Sequence, residues 1–285
     1  MEQFDRQYRL VAGVPGGSGF EVGEVKPNLG VALHIAFSLD KTDAEEPNTS
    51  KISVWNLSPM QLAILDQKDC TVTLRAGYGA NMPVIFAGNV THVCTQKDGA
   101  DTLTEIEVSD GRAALRDTYI TLSYVGVING KRIIEDAATK MGVAVAISEK
   151  ASFIDFPNGY SYVGAAKVAL SKICGSCGLV WTLQNGVLQV TKPNEPISTR
   201  VYLLDASSGL LDIPKRVSIA SSTAEKDAQI GWEVRYFMNG AIGVNDYVRL
   251  ESKTVTGNFR VAKLSMDGDN LDGEWTCTAQ LLEVK

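Results

Sequence analysis

Short runs of alternating apolar and polar residues dominate the first part of the chain. In positions 31–40 every odd residue is apolar, which is the period of a half-buried β-strand. Similar short runs occur at 7–14, 71–76, 86–95 and 102–110. With a further run near Ile52, this regular spacing predicts a small barrel or sandwich of about six strands.

Cap and turn signals separate these strands. Ser58 and Pro59 predict the start of a short helix, because both suit the unpaired N–H groups of a first turn. Asp98-Gly99 suits a tight turn between two strands. The Gly-rich stretch 15–19 lacks the Gly-Lys-Ser/Thr of a phosphate-binding loop, and a strand pattern follows it. We therefore predict a hairpin or linker turn there.

Helical periodicity first appears after position 118. Asn129 can cap one helix, and Ser161 can cap a second helix that ends near Gly178. Asn185-Gly186 lies between two strand-like runs and suits the type I′ turn of a hairpin. Residues 119–196 therefore predict a compact α+β unit.

The pattern returns to β after Pro193 and Pro196, which mark a linker. The predicted strands of this last part are 201–205, 231–237, 247–253, 258–264 and 275–284. About five strands again predict a small barrel. The predicted fold class is mainly β with an α+β insert: β-barrel domains at 1–118 and 197–285 flank an α+β domain at 119–196.

Charge is spread unevenly over these parts. The chain of 285 residues has a net charge of -6 and a pI near 5.1. Residues 1–115 have nine Lys/Arg against fifteen Asp/Glu, residues 116–200 nine against six, and residues 201–285 nine against twelve. Proteins that read nucleic acid usually carry a basic face. The overall balance opposes tight phosphate binding, although it leaves room for a local basic patch.

Targeting and redox signals are sparse. No apolar run approaches the roughly 20 residues of a membrane helix, and the N-terminus has no signal-peptide pattern. We therefore expect no membrane partner. The five cysteines are an odd number scattered along the chain, which argues against a disulfide framework and for synthesis in a reducing cytosol.

Cys174 and Cys177 form a C-x-x-C pair that needs interpretation. In redox motifs the first cysteine lies at a helix N-terminus, where its pKa is lowered. Here the pair lies at the end of the second predicted helix, the opposite terminus. A zinc site needs two further ligands at suitable spacing, and none is nearby. We interpret both cysteines as packing residues.

Other candidate chemistry is equally weak. His34 and His92 could share a site, but the sequence shows no partner for them. The acidic run 267–274 resembles a calcium loop in composition, yet predicted strands rather than helices flank it, so we predict a solvated turn. The four tryptophans lie in predicted strands and are interpreted as packing residues: Trp55, Trp181, Trp232 and Trp275. We assign no catalytic, cofactor-binding or metal-binding residue and predict that the chain is not an enzyme.

Ordered motifs give the chain a family resemblance. Positions 48–58 resemble the "N-x-x-x-I-x-I-x-N-L-S" strand of phage baseplate hub proteins, 74–78 their "L-x-A-G-Y", and 85–90 their "I-F-x-G-x-V". In the last part, 244–250, 257–261 and 273–275 resemble "x-G-D-x-V-x-L", "G-x-Y-R-V" and "G-x-W". Asn245 replaces the common Gly, and Phe259 the common Tyr. The resemblance covers most of the chain and is weakest at 115–195; it rests on order and spacing.

This resemblance implies a structural hub subunit, without cofactor, at the distal end of a long contractile tail. The β-domains of a homotrimer would form a six-domain ring, with the α+β domain outside. The ring would join the hexameric tail tube to the trimeric central spike. Other baseplate proteins and the tape measure protein are implied partners. DNA would cross only in transit, repelled by any carboxylates that line the lumen. The expected location is the virion tail, after synthesis in the host cytoplasm.

Two other functions stay open on sequence alone. A tail-associated cell-wall hydrolase would need a pair of Glu or Asp residues in a cleft. An OB-like binding module for glycan or nucleic acid would need exposed aromatic residues on one barrel face with a basic rim.

Overall fold

The computed structural model of the chain describes residues 5–23, 32–116, 118–220 and 228–284. The chain is mainly β, as predicted, with 53% strand and 13% helix. Position 31, the start of the predicted strand 31–40, lies outside the described residues. The strand itself begins four residues later, at Ile35.

The first part contains seven strands and two short helices among its described residues. They are β1 (Arg6–Gly13), β2 (Gly19–Gly23), β3 (Ile35–Thr42), β4 (Thr49–Trp55), α1 (Pro59–Leu65), β5 (Thr71–Tyr78), β6 (Val84–Asp98), β7 (Asp101–Ser109) and α2 (Arg112–Arg116). Ser58 caps α1 as predicted, with Gln61 completing a capping box. The Gly-rich stretch is the turn of the β1–β2 hairpin, which confirms that prediction.

The middle part alternates small sheets with two longer helices. Its elements are β8 (Tyr119–Tyr124), β9 (Ile128–Asn129), α3 (Gly130–Met141), β10 (Ala144–Ile147), β11 (Asp155–Phe156), β12 (Tyr160–Ala165), α4 (Ala166–Ser176), β13 (Val180–Gln184) and β14 (Val187–Thr191). Asn129 caps α3, and Asn185 and Gly186 have the positive φ values of the predicted turn.

The predicted helix cap at Ser161 is wrong. Ser161 lies in β12 and is paired with Ser123 of β8, and α4 begins only at Ala166, without a side-chain cap. Gly164 has a φ of 151°, which no helix contains. Strand pairing with β8 therefore overrides the local cap signal, and Val163 of the same strand is exposed.

The last part is again β. Its strands are β15 (Val201–Leu204), β16 (Lys215–Ile219), β17 (Gln229–Phe237), β18 (Tyr247–Glu251), β19 (Thr256–Asp269) and β20 (Trp275–Glu283). The sequence did not predict β16. The acidic run 267–274 spans the end of β19 and the turn before β20, so only its second half is the predicted turn.

Strands of the first and last parts join one 13-stranded sheet, and no closed barrel is found among the described residues. The order is β16-β17-β20-β19-β3-β4-β7-β6-β5-β1-β2, with β18 and β15 branching from β19. Antiparallel pairing of β19 with β3, from Lys263–Thr42 to Asp269–Ala36, makes the connection. The first and last parts, which the sequence predicts as two separate barrels, are therefore joined in one sheet. The sequence does not predict this join, because it pairs strands that are more than two hundred positions apart.

The described residues form two large hydrophobic cores and one small cluster of Ile219, Ala262 and Leu282. The larger core combines side chains of the first and last parts, including Phe37, Ile52 and Leu264. The second core belongs to the middle part and includes Ile133, Leu170 and Trp181. The domain limits at 118 and 196 themselves stay a prediction.

Candidate assembly surface

One face of the large sheet is polar and open to solvent. Strand register places Asp267, Ser38, Lys51, Glu107 and His92 side by side across β19, β3, β4, β7 and β6. Residues that alternate with them point into the larger core, since successive side chains of a strand face opposite ways. The result is a broad hydrophilic surface over a continuous hydrophobic layer.

Carboxylates outnumber cations on this polar face. The carboxylates are Asp40, Asp98, Asp101, Glu105, Glu107, Glu233, Asp267 and Asp269, and the cations are Lys51, Lys215, Lys263 and Arg235. Lys51 contacts Glu105, and Arg235 Nη2 lies 2.7 Å from Glu274 Oε1. An acidic surface of this kind repels polyanions over about a Debye length.

Among the described residues, both ends of the polar face are open strand edges. At one end, β7 is the only described strand paired with residues 91–98 of β6. At the other end, β17 is the only described strand paired with β16. Unpaired edges are templates for strands of another chain. Beside the β16 edge, Ile213 and Ile230 are 65% and 63% exposed, and the charged Lys215 and Arg216 are exposed too.

The end of β3 holds the middle part on the sheet. Lys41 is only 3% exposed, and its Nζ donates a 2.7 Å hydrogen bond to Asn185 Oδ1 at the tip of the β13–β14 hairpin. The buried carboxylate of Asp110 accepts the backbone N–H groups of Asn185 and Gly186. Gln184 Nε2 donates to the Thr42 carbonyl at 2.8 Å.

Burial shifts the pKa values of Lys41 and Asp110, the two charged groups at the joint between the sheet and the β13–β14 hairpin. Burial raises the pKa of Asp110 to about 6, although the Asn185 N–H and the Lys41 ammonium act in the opposite direction. Burial likewise lowers the pKa of Lys41 to about 8, and the Asp110 carboxylate partly offsets that effect. The joint therefore holds two charges that are costly to bury and compensate each other incompletely.

A second polar contact adds the last part of the chain to the same joint. Arg260 Nη1 donates to Asp43 Oδ2 at 2.8 Å and to Asn245 Oδ1 at 2.7 Å. Asn245 Nδ2 in turn donates to Gln189 Oε1 of β14 at 2.9 Å. The sequence pattern of residues 41–48 is that of a polar, acidic loop. The buried Lys41 gave no local signal, because its partners are distant in sequence.

The two histidines have unrelated surroundings. His34 stacks on Trp55 with ring centroids 3.8 Å apart, and its Nε2 lies 3.1 Å from both carboxylate oxygens of Asp269. His92 lies on β6 opposite Glu107. His34 thus ties the start of β3 to the end of β19.

The C-x-x-C pair lies where the sequence suggested. Cys174 is buried in the last turn of α4 and Cys177 is the half-buried C-cap residue. Burial raises the pKa of the Cys174 thiol to about 12, with the neighbouring Cys177 adding to the effect. A thiol in such surroundings is a poor nucleophile.

The acidic run is organised by its own backbone. Asp269 Oδ1 accepts the N–H groups of Leu271 and Asp272 at 2.9 and 3.1 Å. Within the described ranges, no group of three or more His, Cys, Asp or Glu is placed to hold a metal ion. No helix in the part of the chain that was described is long and apolar enough to cross a membrane.

Trp181 and Trp275 are buried, whereas Trp55 and Trp232 are half-buried. Trp181 Nε1 donates to Ser171 Oγ at 3.2 Å, and the Trp275 ring meets Phe37 edge to face at 5.4 Å. These surroundings are those of packing residues.

The fold is that of phage tail proteins, which confirms the resemblance at the level of fold. The 43 kDa tail protein of prophage MuSo2 from Shewanella oneidensis superposes with a TM-score of 0.65 at 10% identity, covering 98% of both chains. A tail protein from Neisseria meningitidis MC58 gives 0.60 at 11% identity, covering 96% of both.

A secretion protein shares this fold as well. The E. coli c3393 protein, a type VI secretion component similar to T4 tail proteins gp27 and gp5, gives a TM-score of 0.61 at 10% identity. The match covers 90% of this chain and 76% of that one. No family model and no curated protein sequence matches the chain.

Proposed function

We propose that the chain is a structural baseplate hub subunit of a phage tail. Three copies would form a ring that joins the hexameric tail tube to the trimeric central spike and lets DNA pass. The observation that carries this proposal is the polar sheet face with an open edge at each end. A sheet with one hydrophilic face and two free edges is suited to close into a cylinder with other copies.

The polar face would form the wall of the lumen. The path from β16 to β6 supplies eight neighbouring strands per copy, in the order β16-β17-β20-β19-β3-β4-β7-β6. If β6 of one copy pairs with β16 of the next, a continuous sheet surrounds the channel. The carboxylates of the polar face would then keep DNA from binding during passage.

The β parts and the middle part of the chain would have different roles in the ring. Residues 1–118 and 197–285 would act as two tube-like units, so that three copies present a nearly sixfold surface to the tail tube. Residues 119–196 would form an outer domain that faces other baseplate proteins. We assign no catalytic role to any of the three parts. The tape measure protein is a further proposed partner.

A measurement of assembly tests this proposal. We expect mass photometry to show a trimer, alone or after addition of the spike protein, and negative-stain electron microscopy to show rings. The spike protein of the same phage is included because a hub can require it for assembly. A chain that stays monomeric with the spike, at micromolar concentration, would contradict the proposal.

A second candidate is the same hub role in a type VI secretion apparatus rather than in a virion. The similarity to the E. coli secretion component favours it. Purified phage particles separate the two functions: immunogold labelling of the tail tip supports the virion role, and labelling confined to secreting cells supports the alternative.

A further inference from the structure

Lys41 is a buried lysine whose hydrogen bond goes to a neutral amide. The residue is 3% exposed, and its Nζ lies 2.7 Å from Asn185 Oδ1. The buried Asp110 carboxylate accepts the backbone N–H groups of Asn185 and Gly186 instead. Lysines are almost never fully buried unless they are paired with an opposite charge. A reaction that joins the amine to the amide would remove this buried charge, because the product is neutral.

The two side chains are close enough to react. Cγ of Asn185 lies one C=O bond of about 1.2 Å beyond Oδ1, which places it about 3–4 Å from Lys41 Nζ. Reacting atoms in a near-attack arrangement are about 3–3.5 Å apart. The Ala87 N–H of β6 donates to the same Oδ1 at 3.2 Å. This donor stays in place during attack on Cγ, so it stabilises the negative charge that develops on Oδ1.

Burial makes the Lys41 amine a nucleophile at moderate pH. Burial lowers the pKa of Lys41 to about 8, and the electrostatic interactions with Asp110 and Cys277 act in the opposite direction. At pH 8 about half of this amine is unprotonated, against less than about 1% for a lysine in water. Only the unprotonated amine has the lone pair that attacks a carbonyl carbon.

We propose that Lys41 and Asn185 form an intramolecular isopeptide bond. The hydrogen-bonded pair described above is the state before the reaction. The lone pair of Nζ forms a bond to Cγ of Asn185, and the bond from Cγ to Nδ2 breaks. One proton passes from Nζ to Nδ2, which leaves as ammonia. The step therefore balances without an oxidant, a reductant or a co-reactant, and it is independent of the proposed role in a tail.

A competing reaction of the Asn185-Gly186 pair is disfavoured by the fold. In flexible chains the glycine nitrogen of such a pair attacks Cγ, which also releases ammonia and leaves a cyclic imide. Here the Gly186 N–H donates to Asp110 Oδ1 at 3.2 Å, and the Asn185 N–H donates to the other carboxylate oxygen. Asp110 is a positioning residue that holds this backbone. The Lys41 amine already contacts the amide, whereas the Gly186 nitrogen must first leave Asp110.

The bond ties the middle part covalently to the sheet. Lys41 lies near the end of β3, and Asn185 lies at the tip of the β13–β14 hairpin. The link closes a loop across 144 positions of sequence, which restricts the unfolded chain. Asn185 is half-buried and Gly186 is exposed, so ammonia has a short path to solvent.

Intact mass spectrometry of the full chain tests the bond. We expect the chain to be lighter by about 17 Da, the mass of ammonia, on purification or after incubation. Any unreacted chain should react about ninefold faster at pH 9 than at pH 7, since the unprotonated fraction of Lys41 rises from about 10% to about 90%. The pKa values of Asp110 and Cys277, about 6 and about 12, lie outside this range. A mass that never falls by this amount overturns the proposal.

A tryptic digest identifies the joined residues. We expect a branched peptide that contains both Lys41 and Asn185 and is uncut after Lys41. Hydroxylamine opens a cyclic imide but leaves an isopeptide bond intact. A linear peptide lighter by about 17 Da, or a mass loss that hydroxylamine reverses, assigns the reaction to Gly186 and overturns the proposal.

Two variants and one control complete the test. Lys41→Arg keeps a charged donor, but its guanidinium is not deprotonated, so no ammonia should be lost. Lys51→Arg is the matched control on β4, where Lys51 is partly exposed and contacts Glu105, and it should react like the unaltered chain. Should Lys41→Arg fail to fold, Asn185→Gly keeps the positive φ of the turn and removes the amide. If Lys41→Arg or Asn185→Gly loses ammonia like the unaltered chain, the proposal is wrong.

Discussion

Lys41 Nζ donates a 2.7 Å hydrogen bond to Asn185 Oδ1 across 144 positions of sequence. The same amide oxygen accepts the Ala87 N–H at 3.2 Å. One asparagine side chain therefore satisfies a buried cation and a strand amide while its backbone makes the hairpin turn. This residue is therefore one of the contacts that hold the middle part on the sheet, together with Gln184 and Gln189.

Removing the Asn185 side chain should loosen that joint. Asn185 has a φ of 51°, so Asn185→Gly keeps the turn and deletes only the amide. Because Lys41 is left with an unsatisfied buried donor, we expect a loss of about 1–3 kcal/mol in the free energy of unfolding, measured in urea. Asn56→Gly is the control: Asn56 also has positive φ, but its hydrogen bonds are exposed and water can replace them. Equal losses in the two variants would contradict this role.

Asp110 should make stability depend on pH. Its pKa is raised from 3.8 to about 6, so the folded chain binds the proton more tightly than the unfolded chain. This stabilising contribution is fully present below pH 3.8 and is lost as pH rises through about 6, with an upper limit of about 3 kcal/mol. Asp110→Asn should therefore flatten the rise in stability between about pH 7.5 and about pH 5.

Asp246 is a second buried carboxyl that should make the free energy of unfolding depend on pH, so Asp110→Asn should remove only part of this dependence. Burial raises its pKa to about 6 as well, partly offset by the Gly243 N–H. The Asp110→Asn chain should keep part of the pH dependence, and the double variant with Asp246→Asn should lose nearly all that these two groups supply. Urea unfolding at both pH values provides the comparison. If neither substitution alters the difference in the free energy of unfolding between the two pH values, these carboxyl groups are not its source.

Two glycines should respond to alanine with opposite signs. A Cβ on Gly77 would lie 1.9 Å from the Asn81 carbonyl oxygen, whereas one on Gly175 in α4 meets nothing within 4 Å. Gly77→Ala should destabilise the chain by about 2 kcal/mol or more, since the β5 backbone must shift. Gly175→Ala should stabilise it by about 0.5–1 kcal/mol through helix propensity. Thermal unfolding of both variants checks the pair.

Local signals predicted the local parts of this fold. Ser58 caps α1, Asn129 caps α3, and Asn185-Gly186 turns a hairpin, because each device is made by residues within a few positions of one another. The helix cap predicted at Ser161 is wrong because Ser161 pairs with β8, nearly forty positions away, and this pairing is stronger than the local cap signal.

Contacts between distant residues explain what the sequence did not predict. The pairing of β19 with β3 and the burial of Lys41 both join parts separated by more than a hundred positions. The assembly surface was equally hidden, because its polar residues are spread singly over strands and become one face only through register. The acidic balance of the first part was visible in the composition, but its position on this face was not.

The open edge beside β16 should control assembly. Ile213 is 65% exposed there, and a free edge with an exposed isoleucine suits contact with another copy. If β16 meets β6 of the next copy, Ile213→Asp buries an unpaired charge and should weaken the trimer at least about tenfold, which corresponds to about 1.4 kcal/mol. Monomer folding should not change, because the side chain is exposed.

Val125→Asp is the matched control for this edge. Val125 is 99% exposed and lies in the middle part, outside both open edges. Mass photometry over a concentration series gives the dissociation of each variant, and circular dichroism reports the fold. We expect Val125→Asp to assemble like the unaltered chain. Dissociation caused by Val125→Asp but not by Ile213→Asp would place the contact between copies on the middle part and contradict closure through β16.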